Sequence, residues 1–537
     1  MTPLLNISSL NLSIHGEKIL NDISFEIGEG ETFGLVGESG SGKSLTALSI
    51  IRLLPEGSSA SGAAEMSGRN LLLESERDMC AVRGNEIGVI FQEPMTALNP
   101  VKSIGDQVAE TLTVHGKASR RQALEIAREK LNRVEMPADE FPLTKFPHEL
   151  SGGQRQRICI ALAIALRPKL LIADEPTTAL DVSTQAQILK LLKSLVDDDG
   201  MSLMLITHDL AVVAGMADHV AVMHSGSIVE AGTTETLFRH MRHPYTKKLF
   251  AASSHAPERR ASSDMAPLLQ VREAVRDYTL PKAGLFAKAP KRRAVDHVSF
   301  ELRRHESLGL VGESGCGKST LTRAVLGLEP LQHGCIDLDG EPVLASSMSR
   351  ELRRKMQVVF QDPYGSFNPR HKVERLVAEP FHLVAETISR EEVRERVAIS
   401  LETVGLRARD MAKYIHEFSG GQRQRIAIAR ALAIRPKLII LDEAVSALDV
   451  SIRAQILDLL ADLQDKHGLS YLFISHDLTV VSAITDRVLV MRKGKIVEEG
   501  PTRRVFHAPS HPYTRHLLAS APAIPPEWTQ QEVASHA

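Results

Sequence analysis

The stretch GESGSGKS at Gly37–Ser44 follows the apolar run FGLVG, and it recurs as GESGCGKS at Gly312–Ser319 after a similar run, LGLVG. A glycine-rich loop between a strand and a helix lets backbone N–H groups approach phosphate groups, and the helix N-terminus adds positive potential. The lysine can neutralise phosphate charge and the last serine can offer its hydroxyl to Mg²⁺. The sequence therefore predicts two nucleotide sites, with these loop residues: Gly37, Gly40, Gly42, Lys43, Ser44, Gly312, Gly315, Gly317, Lys318 and Ser319.

Other segments repeat as well. SGGQRQR at Ser151–Arg157 recurs at Ser419–Arg425, and HPYT at His243–Thr246 recurs at His511–Thr514, both after 268 positions. A spacing held over such a length indicates two copies of one domain rather than a short solenoid repeat.

The predicted division of the 537 residues follows from this repeat. We expect a first nucleotide-binding domain with its HPYT extension at 1–252 and a second at 268–520. The segment 253–267 is rich in Ser, Pro and Arg and predicts a short flexible linker. The segment 521–537 is predicted to be a loose tail.

The fold class follows from the order of apolar runs. The runs KLLIADE and KLIILDE end in acids, the runs LMLITHD and YLFISHD reach a histidine, and helical segments separate them. This pattern predicts an α/β fold with two tandem P-loop domains, each a mostly parallel sheet with helices on both faces. Capping boxes at Ser119–Gln122 and Ser389–Glu392 predict a helical insert in each copy.

Composition excludes several classes of protein. The net charge is −2, which gives no general reason to bind nucleic acid. No apolar run is long enough to span a bilayer, and the N-terminus lacks the features of an export signal. The four cysteines, Cys80, Cys159, Cys316 and Cys335, form no metal-binding pattern, so we expect free thiols in a reducing compartment.

Acids and histidines at the strand ends carry the predicted chemistry. Asp174 and Asp442 can hold Mg²⁺, while the adjacent Glu175 and Glu443 can polarise an attacking water. The alternative for an Asp-Glu pair is that it only begins a turn, but the preceding phosphate loops favour the chemical role. His208 and His476, each 33 residues after its glutamate, are predicted to sense the γ-phosphate, although a lone histidine is more often structural.

Gln92 and Gln361 lie in VIFQEP and VVFQDP, where an amide can bind Mg²⁺ or a water molecule. The predicted metal ligands are therefore Ser44, Gln92, Asp174, Ser319, Gln361 and Asp442.

The SGGQ segments are the most specific feature of the chain. A hydroxyl and two glycines at the start of a helix make a second anion site, although an ordinary capped helix is the alternative. The residues concerned are Ser151, Gly152, Gly153 and Gln154 in the first copy and Ser419, Gly420, Gly421 and Gln422 in the second.

Together these motifs resemble the ATP-binding subunits of ABC transporters over about 500 residues. The resemblance implies ATP and Mg²⁺ as ligands, ATPase activity, and two domains packed head-to-tail. Each site would then combine the loop, acids and histidine of one half with the SGGQ signature of the other, so that Lys43 faces Ser419–Gln422 and Lys318 faces Ser151–Gln154. Asp181 and Asp449 would couple the sites, and both sites would hydrolyse ATP.

A narrower resemblance rests on FPHELSGGQRQR, FQEPMTALNP, FQDPYGSFNPR and the repeated HPYT. These resemble the oligopeptide, dipeptide and nickel import branch, and the fused double form looks most like the ATPase of microcin C–type peptide importers. The resemblance implies an inner-membrane importer for peptides or peptide-like solutes. Two transmembrane permease subunits and, indirectly, a periplasmic solute-binding protein would be partners, with this chain peripheral on the cytoplasmic face of the inner (plasma) membrane.

Two questions stay open in the sequence. Tyr278 fits the aromatic residue that stacks on adenine in this family, but the matching place in the first copy is Ile14 or His15. A soluble twin-ATPase acting on ribosomes would also lack membrane segments. That class carries a long charged helical linker, whereas the linker here is short and HPYT extensions are present.

Overall fold

The computed structural model describes residues 3–178, 180–259, 266–279, 289–362, 365–386, 388–446 and 448–529. Each half contains one small antiparallel sheet, one larger mostly parallel sheet and helices around them. The two halves have the same order of sheet elements along the chain.

The strands of the first half are β1 (Leu5–Ile14), β2 (Glu17–Ile27), β3 (Thr32–Val36), β4 (Ser58–Met66), β5 (Arg69–Asn70), β6 (Ile87–Ile90), β7 (Leu170–Asp174), β8 (Ser202–Thr207), β9 (His219–His224) and β10 (Ser227–Thr233). Its helices are α1 (Lys43–Ile50), α2 (Glu76–Val82), α3 (Pro94–Ala97), α4 (Ile104–Val114), α5 (Arg120–Arg133), α6 (Gly152–Ala163), α7 (Val182–Asp199), α8 (Leu210–Met216), α9 (Thr234–Arg239) and α10 (Pro244–Ser253).

The strands of the second half are β11 (Pro267–Thr279), β12 (Lys291–Arg303), β13 (Ser307–Val311), β14 (His333–Leu338), β15 (Glu341–Pro342), β16 (Met356–Val359), β17 (Leu438–Asp442), β18 (Ser470–Ile474), β19 (Arg487–Arg492) and β20 (Lys495–Pro501). Its helices are α11 (Lys318–Val325), α12 (Arg350–Lys355), α13 (Val373–Ala378), α14 (Arg390–Thr403), α15 (Gly420–Leu432), α16 (Val450–His467), α17 (Leu478–Ile484), α18 (Thr502–His507), α19 (Pro512–Ala519) and α20 (Pro526–Thr529).

The larger sheet confirms the predicted α/β fold. Its order is β10-β9-β3-β8-β7-β6 in the first half and β20-β19-β13-β18-β17-β16 in the second. All neighbours pair in parallel except the last hairpin, β9 with β10 and β19 with β20. Parallel strands buried on both faces are nearly continuous apolar runs, and β3, β8 and β13 are buried throughout. The arrangement places the ends of β3, β7 and β8 at one edge of the sheet.

The predicted helical inserts are present, and the capping boxes begin them. The Ser119 N–H donates to Gln122 Oε1 at 3.1 Å before α5, and Ser389 Oγ accepts from the Glu392 N–H at 3.1 Å before α14. Ala123, Ala127 and Leu131 form a buried face of α5 that packs against α4 and α6. The insert helices, the SGGQ helix α6 and the larger sheet therefore share one hydrophobic core.

The two halves contact each other through the segments that follow the SGGQ helices and the acid-bearing strands. Val182, the first residue of α7, is buried in a core cluster made otherwise of second-half residues. Val450, the first residue of α16, is buried in a cluster of first-half residues. Each half thus inserts one valine into the other, which is a reciprocal, head-to-tail contact.

The structure corrects two expectations about the connecting segments. Part of the predicted flexible linker is held in place, because His255 bonds Asp458 at 2.6 Å and Arg259 forms an ion pair with Asp486. The predicted loose tail is wrong for 521–529, since α20 places Trp528 against Phe238 of the first half, with ring centroids 5.9 Å apart. An apolar aromatic ring gains from leaving water, and composition alone did not reveal its partner. Residues 260–265 and 530–537 lie outside the described residues.

No helix in the described part of the chain combines the length and apolar character that a membrane crossing requires. None of the four cysteines, all of which lie among the described residues, forms a disulfide.

We predict that Trp528→Ala loosens the C-terminal segment from the first half. The lost apolar burial should cost roughly 2 kcal/mol of that contact, because the ring is only half-buried. Proteolysis after residue 520 should become faster while the nucleotide loops stay protected. A chain ending at residue 529 is the control, and it should resist the protease like the full chain. Equal cleavage rates in the full chain and in Trp528→Ala would contradict the packing role.

Candidate functional site

The two phosphate loops have the backbone that the sequence predicts. Gly42 and Gly317 cap α1 and α11 in the left-handed region, with φ of 104° and 115°. A Cβ at Gly42 would lie 2.6 Å from Leu20 Cδ2, and one at Gly317 would lie 2.2 Å from the Ala294 carbonyl oxygen. Only glycine fits either position, so the loop can turn tightly into the helix.

The loop lysines lie inside their loops. Lys43 Nζ donates to the carbonyl oxygens of Gly37 and Glu38, both at 2.9 Å. Lys318 Nζ donates to Gly312 and Glu313 at 2.6 and 3.0 Å. Burial lowers the pKa of Lys43, which nearby carboxylates oppose. The ammonium groups are thus buried at the position where phosphate charge would enter.

The strand-end aspartates Asp174 and Asp442 lie in surroundings that penalise a negative charge. Burial raises the pKa of Asp174, which a bond from Ser44 opposes, and burial together with Glu443 raises the pKa of Asp442. Asp174 Oδ1 is buried and has no hydrogen-bond partner among the described residues. An orphaned carboxylate oxygen beside a serine hydroxyl fits a hard divalent cation such as Mg²⁺.

Glu175 is the centre of a polar network in the first half. Its Oε2 accepts from Gln92 Nε2 at 2.8 Å and from Thr178 Oγ1 at 2.9 Å, and its Oε1 lies 3.2 Å from His208 Nδ1. Burial alone would raise the pKa of Glu175, but the bonds from His208 and Thr178 and the charge of Lys43 lower it to about 2. The carboxylate is therefore ionised, as a group that polarises water must be.

The second half repeats only part of this network. Glu443 Oε1 lies 3.3 Å from His476 Nδ1, and the His476 bond and charge lower the pKa of Glu443 although burial opposes them. Ser446, at the position of Thr178, donates to the Glu443 carbonyl oxygen at 2.9 Å rather than to its carboxylate. Between the described residues Gln361 and Glu443 no hydrogen bond forms. The second carboxylate is thus held by fewer partners.

Both glutamates occupy a left-handed backbone conformation. Their φ angles are 46° for Glu175 and 51° for Glu443, and their N–H groups donate to Ile206 and Ile474 at 2.9 Å. A non-glycine residue in this region is strained, and the neighbouring strand compensates through the backbone bond.

The SGGQ segments begin helices as predicted. Ser151 caps α6 and Ser419 caps α15, each in a capping box with its Gln154 or Gln422. Ser151 and Ser419 are exposed, as are Gly152 and Gly420. Exposed helix N-termini of this kind can accept an anion, and the geometry brings neither serine into a bond with the opposite phosphate loop.

A direct polar contact crosses between the halves at the second phosphate loop. Asp181 Oδ2 accepts from the Ser314 N–H at 3.3 Å, while its Oδ1 caps α7 by accepting from the Thr184 N–H at 3.0 Å. Burial would raise the pKa of Asp181, but these bonds lower it. At the opposite end, the charge of Asp449 acts on Lys43 across the halves.

The strand register answers which first-half residue matches Tyr278. Leu5 pairs with Ile27 as Leu269 pairs with Leu302, and Ile14 and Tyr278 each lie nine residues further along their strand. Tyr278 donates its hydroxyl to Glu329 at 2.6 Å and lies 3.3 Å from Thr320, just after the phosphate loop. The matching residue is therefore Ile14, and His15 follows it at the turn.

Comparisons with known proteins decide the family to which these sites belong. The model described as "ABC transporter" matches residues 20–178 and 295–446, and that described as "Oligopeptide/dipeptide transporter, C-terminal region" matches 229–272 and 497–536. The chain belongs to the ABC transporter family. Both the family resemblance and the narrower oligopeptide branch are thereby confirmed.

Relatives cover nearly the whole chain. The glutathione import ATP-binding protein GsiA of Salmonella typhimurium is 46% identical and that of Escherichia coli strain K12 is 45% identical, each over 97% of this chain and 90% of the relative. A solved structure of cbiO1 from Clostridium perfringens is 29% identical, covers 45% of this chain and 92% of its own, and has a TM-score of 0.39.

Sequence reasoning missed Thr178 as a partner of the glutamate. The signal was available, because a hydroxyl residue stands three positions after the glutamate in both copies, as Thr178 and Ser446. Its two different bonding partners could not be read from the sequence, because they depend on the rotamer.

We predict that ionised Glu175 stabilises the folded ABC protein at neutral pH. Its folded-state pKa of about 2 lies below the ordinary 4.5, so this stabilisation is present above pH 4.5 and is lost as pH falls toward 2. The stability difference between the wild type and Glu175→Gln should therefore shrink as pH falls through this window. Denaturant midpoints measured between pH 6 and 3 test this, and a constant difference would contradict it.

Proposed function

We propose that this ABC protein hydrolyses ATP at two composite sites between its halves and thereby energises an importer for peptides or peptide-like solutes. The observation that supports the composite sites best is the reciprocal contact of the halves. Asp181 of the first half bonds the phosphate loop of the second, and the two valines after the coupling aspartates are exchanged. A nucleotide on either loop would then face the other half.

The residues of each site have distinct roles in this proposal. Lys43 and Lys318 exchange their loop carbonyl partners for phosphate oxygens. Glu175 and Glu443 polarise the attacking water, and His208 and His476 contact the γ-phosphate. The signature residues Ser151–Gln154 and Ser419–Gln422 donate to the nucleotide held by the opposite half.

Mg²⁺ fits the orphaned carboxylate oxygen of Asp174 beside the Ser44 hydroxyl, and the second half has Asp442 and Ser319 at the matching positions. Ser44, Gln92 and Asp174 would hold it in the first half, and Ser319, Gln361 and Asp442 in the second. When bound, Mg²⁺ would neutralise charge on the phosphate oxygens. The protein groups orient the nucleotide and the water around it.

Closure of the halves would be the mechanical output. ATP adds charge that both halves bind, and hydrolysis removes the γ-phosphate that bridges them, so the nucleotide biases a two-state contact. The motion would act on membrane permease partners, which the oligopeptide/dipeptide transporter match and the importer relatives imply. We propose two permease subunits, one for each half.

A pair of exposed aromatic sites marks the proposed permease surface. Phe91 is 44% exposed beside Gln92, and Phe360 is 41% exposed at the equivalent place beside Gln361. Phe146 and Tyr414, at matching places before the two signatures, are also exposed. Duplicated apolar side chains in water indicate a protein contact surface.

The solute class follows from the family branch and the relatives. Glutathione, which the relatives' name gives as imported, is a tripeptide and falls within the proposed class of peptide-like solutes. These relatives are named for glutathione and not for microcin C. A periplasmic solute-binding protein would select the solute, and the chain would lie on the cytoplasmic face of the inner membrane.

The division into domains at 1–252 and 268–520, joined by the linker 253–267, remains part of this proposal.

The importer relatives match over 97% of the chain, and we therefore set aside the ribosome-acting twin-ATPase.

Reconstitution tests the transport function. The chain would be purified with candidate permeases and a solute-binding protein in vesicles, and ATP hydrolysis and uptake of labelled glutathione and di- to pentapeptides would be measured. We expect solute-stimulated hydrolysis and uptake that stop together when vanadate is added. ATP hydrolysis without coupling to any permease pair would contradict the importer function.

We predict that Glu175→Gln with Glu443→Gln still binds ATP but loses turnover by about a thousandfold, because no carboxylate polarises the water. Nucleotide binding is measured by equilibrium titration and turnover by phosphate release. Thr178→Val with Ser446→Ala is the matched control, and it should retain most turnover because both carboxylates remain. Undiminished hydrolysis in the double glutamine variant would contradict the assigned roles.

We also predict unequal adenine contacts. Tyr278→Ala should weaken ATP binding about tenfold at one site, since base stacking on an aromatic ring is worth roughly 1–3 kcal/mol. Ile14→Ala should change binding less, because an aliphatic side chain offers no ring. Binding of ATP and of a ribose triphosphate that lacks the base is titrated for both variants, so that a lost base contact is distinguished from a lost phosphate contact. Equal losses in both variants would contradict the inequality.

A further inference from the structure

Each half carries an aspartate directly after its switch histidine, Asp209 after His208 and Asp477 after His476. Both cap the next helix with one carboxylate oxygen. Asp209 Oδ1 accepts from the Ala211 N–H at 2.9 Å, and Asp477 Oδ1 accepts from the Thr479 N–H at 3.0 Å. The position of each switch histidine is thus tied to the aspartate beside it.

The second carboxylate oxygen of these aspartates has a charged partner in one half and none in the other, among the residues that the structure describes. Asp477 Oδ2 accepts from Arg453 Nη1 at 2.6 Å, and the two side chains are 24% and 18% exposed. Asp209 forms no ion pair with any residue that the structure describes. Arg453 is the fourth residue after Asp449, and the fourth residue after Asp181 is the uncharged Gln185. One arginine therefore stands where symmetry would place two.

Packing brings these groups together across the halves. Val450, three residues before Arg453, is buried with Leu210, the neighbour of Asp209. Val182 is buried with Leu478, the neighbour of Asp477. The start of α16 thus lies against the segment that carries Asp209, and the start of α7 against the segment that carries Asp477.

The charges act on each other over this contact. Burial raises the pKa of Asp209 and the Asp477 carboxylate raises it further, while His208 and the Arg453 guanidinium lower it. Two carboxylates near each other in a partly buried contact repel, and the repulsion grows as water is excluded. The Arg453 guanidinium, which pairs with Asp477, offsets part of this cost while the halves are together.

We propose that Arg453 is a positioning residue for both switch histidines. It holds the segment of His476 within its own half, and it acts across the contact on the segment of His208. His476 is then held in position in both the open and the closed form, whereas His208 is held in position only when the halves close. This inference rests on the proposed ATP-driven closure of the halves.

The test measures closure in the non-hydrolysing Glu175→Gln, Glu443→Gln chain. The two exposed thiols, Cys80 in the first half and Cys335 in the second, carry a donor and an acceptor dye, and ATP is titrated with Mg²⁺ present. Arg453→Gln should raise the ATP concentration for half-maximal closure roughly tenfold, within the usual range of coupling factors. Arg453→Lys should recover most of this loss, because it restores the positive charge.

Two further substitutions, each added to the Arg453→Gln chain, distinguish action of Arg453 across the contact from local support of the second half. Asp209→Asn, which keeps the helix cap, should restore closure in the Arg453→Gln chain because it removes the repulsion. Gln185→Arg should also restore it, by supplying the cation from the matching place in the other half. The proposal is overturned if Arg453→Gln leaves the ATP concentration for half-maximal closure unchanged. It is also overturned if neither Asp209→Asn nor Gln185→Arg restores closure in the Arg453→Gln chain. Failure of the parent chain to close with ATP would instead contradict the proposed function.

Discussion

The structure depends on the exchange of two valines between the halves. Val182 and Val450 each leave water by entering the core of the opposite half, and each directly follows an aspartate that caps its helix. Burial of one aliphatic side chain contributes about 2 kcal/mol, so the pair makes the contact favourable without making it permanent. A contact of this strength can be biased by a ligand.

The exchange also explains why the acid-bearing strands matter to both halves. Asp174 ends β7 and Asp442 ends β17, and the valine-bearing helices begin a few residues later. A chain that closes around these valines therefore brings each phosphate loop near the other half. The anchored segments 254–259 and 521–529 cross in opposite directions and hold the halves near one another.

The sequence predicted the parallel sheet and the strand-end acids because these follow from local patterns. Continuous apolar runs mark strands buried on both faces, and glycines in GESGSGKS mark a turn that only glycine can form. The small antiparallel sheet was not predicted, since its half-buried strands such as β1 and β4 have weak alternation. The docking of Trp528 and the ion pair of Arg259 depend on distant partners, which a local pattern cannot supply. The duplication predicted that both sites hydrolyse ATP, but it could not show how the sites differ, which the bonds of Thr178 and Ser446 and the ion pair of Arg453 reveal.

If each ATP site is shared by the two halves, the phosphate loop of one half must approach the signature of the other, and site-directed cross-linking measures this approach. In a chain without native cysteines, Ser39→Cys would be combined with Ser419→Cys or with Ser151→Cys, and a short bifunctional thiol reagent would be added with and without ATP. We expect an ATP-dependent cross-link between the loop of the first half and the signature of the second, and none between the loop and signature of the same half. A cross-link only within one half would contradict it.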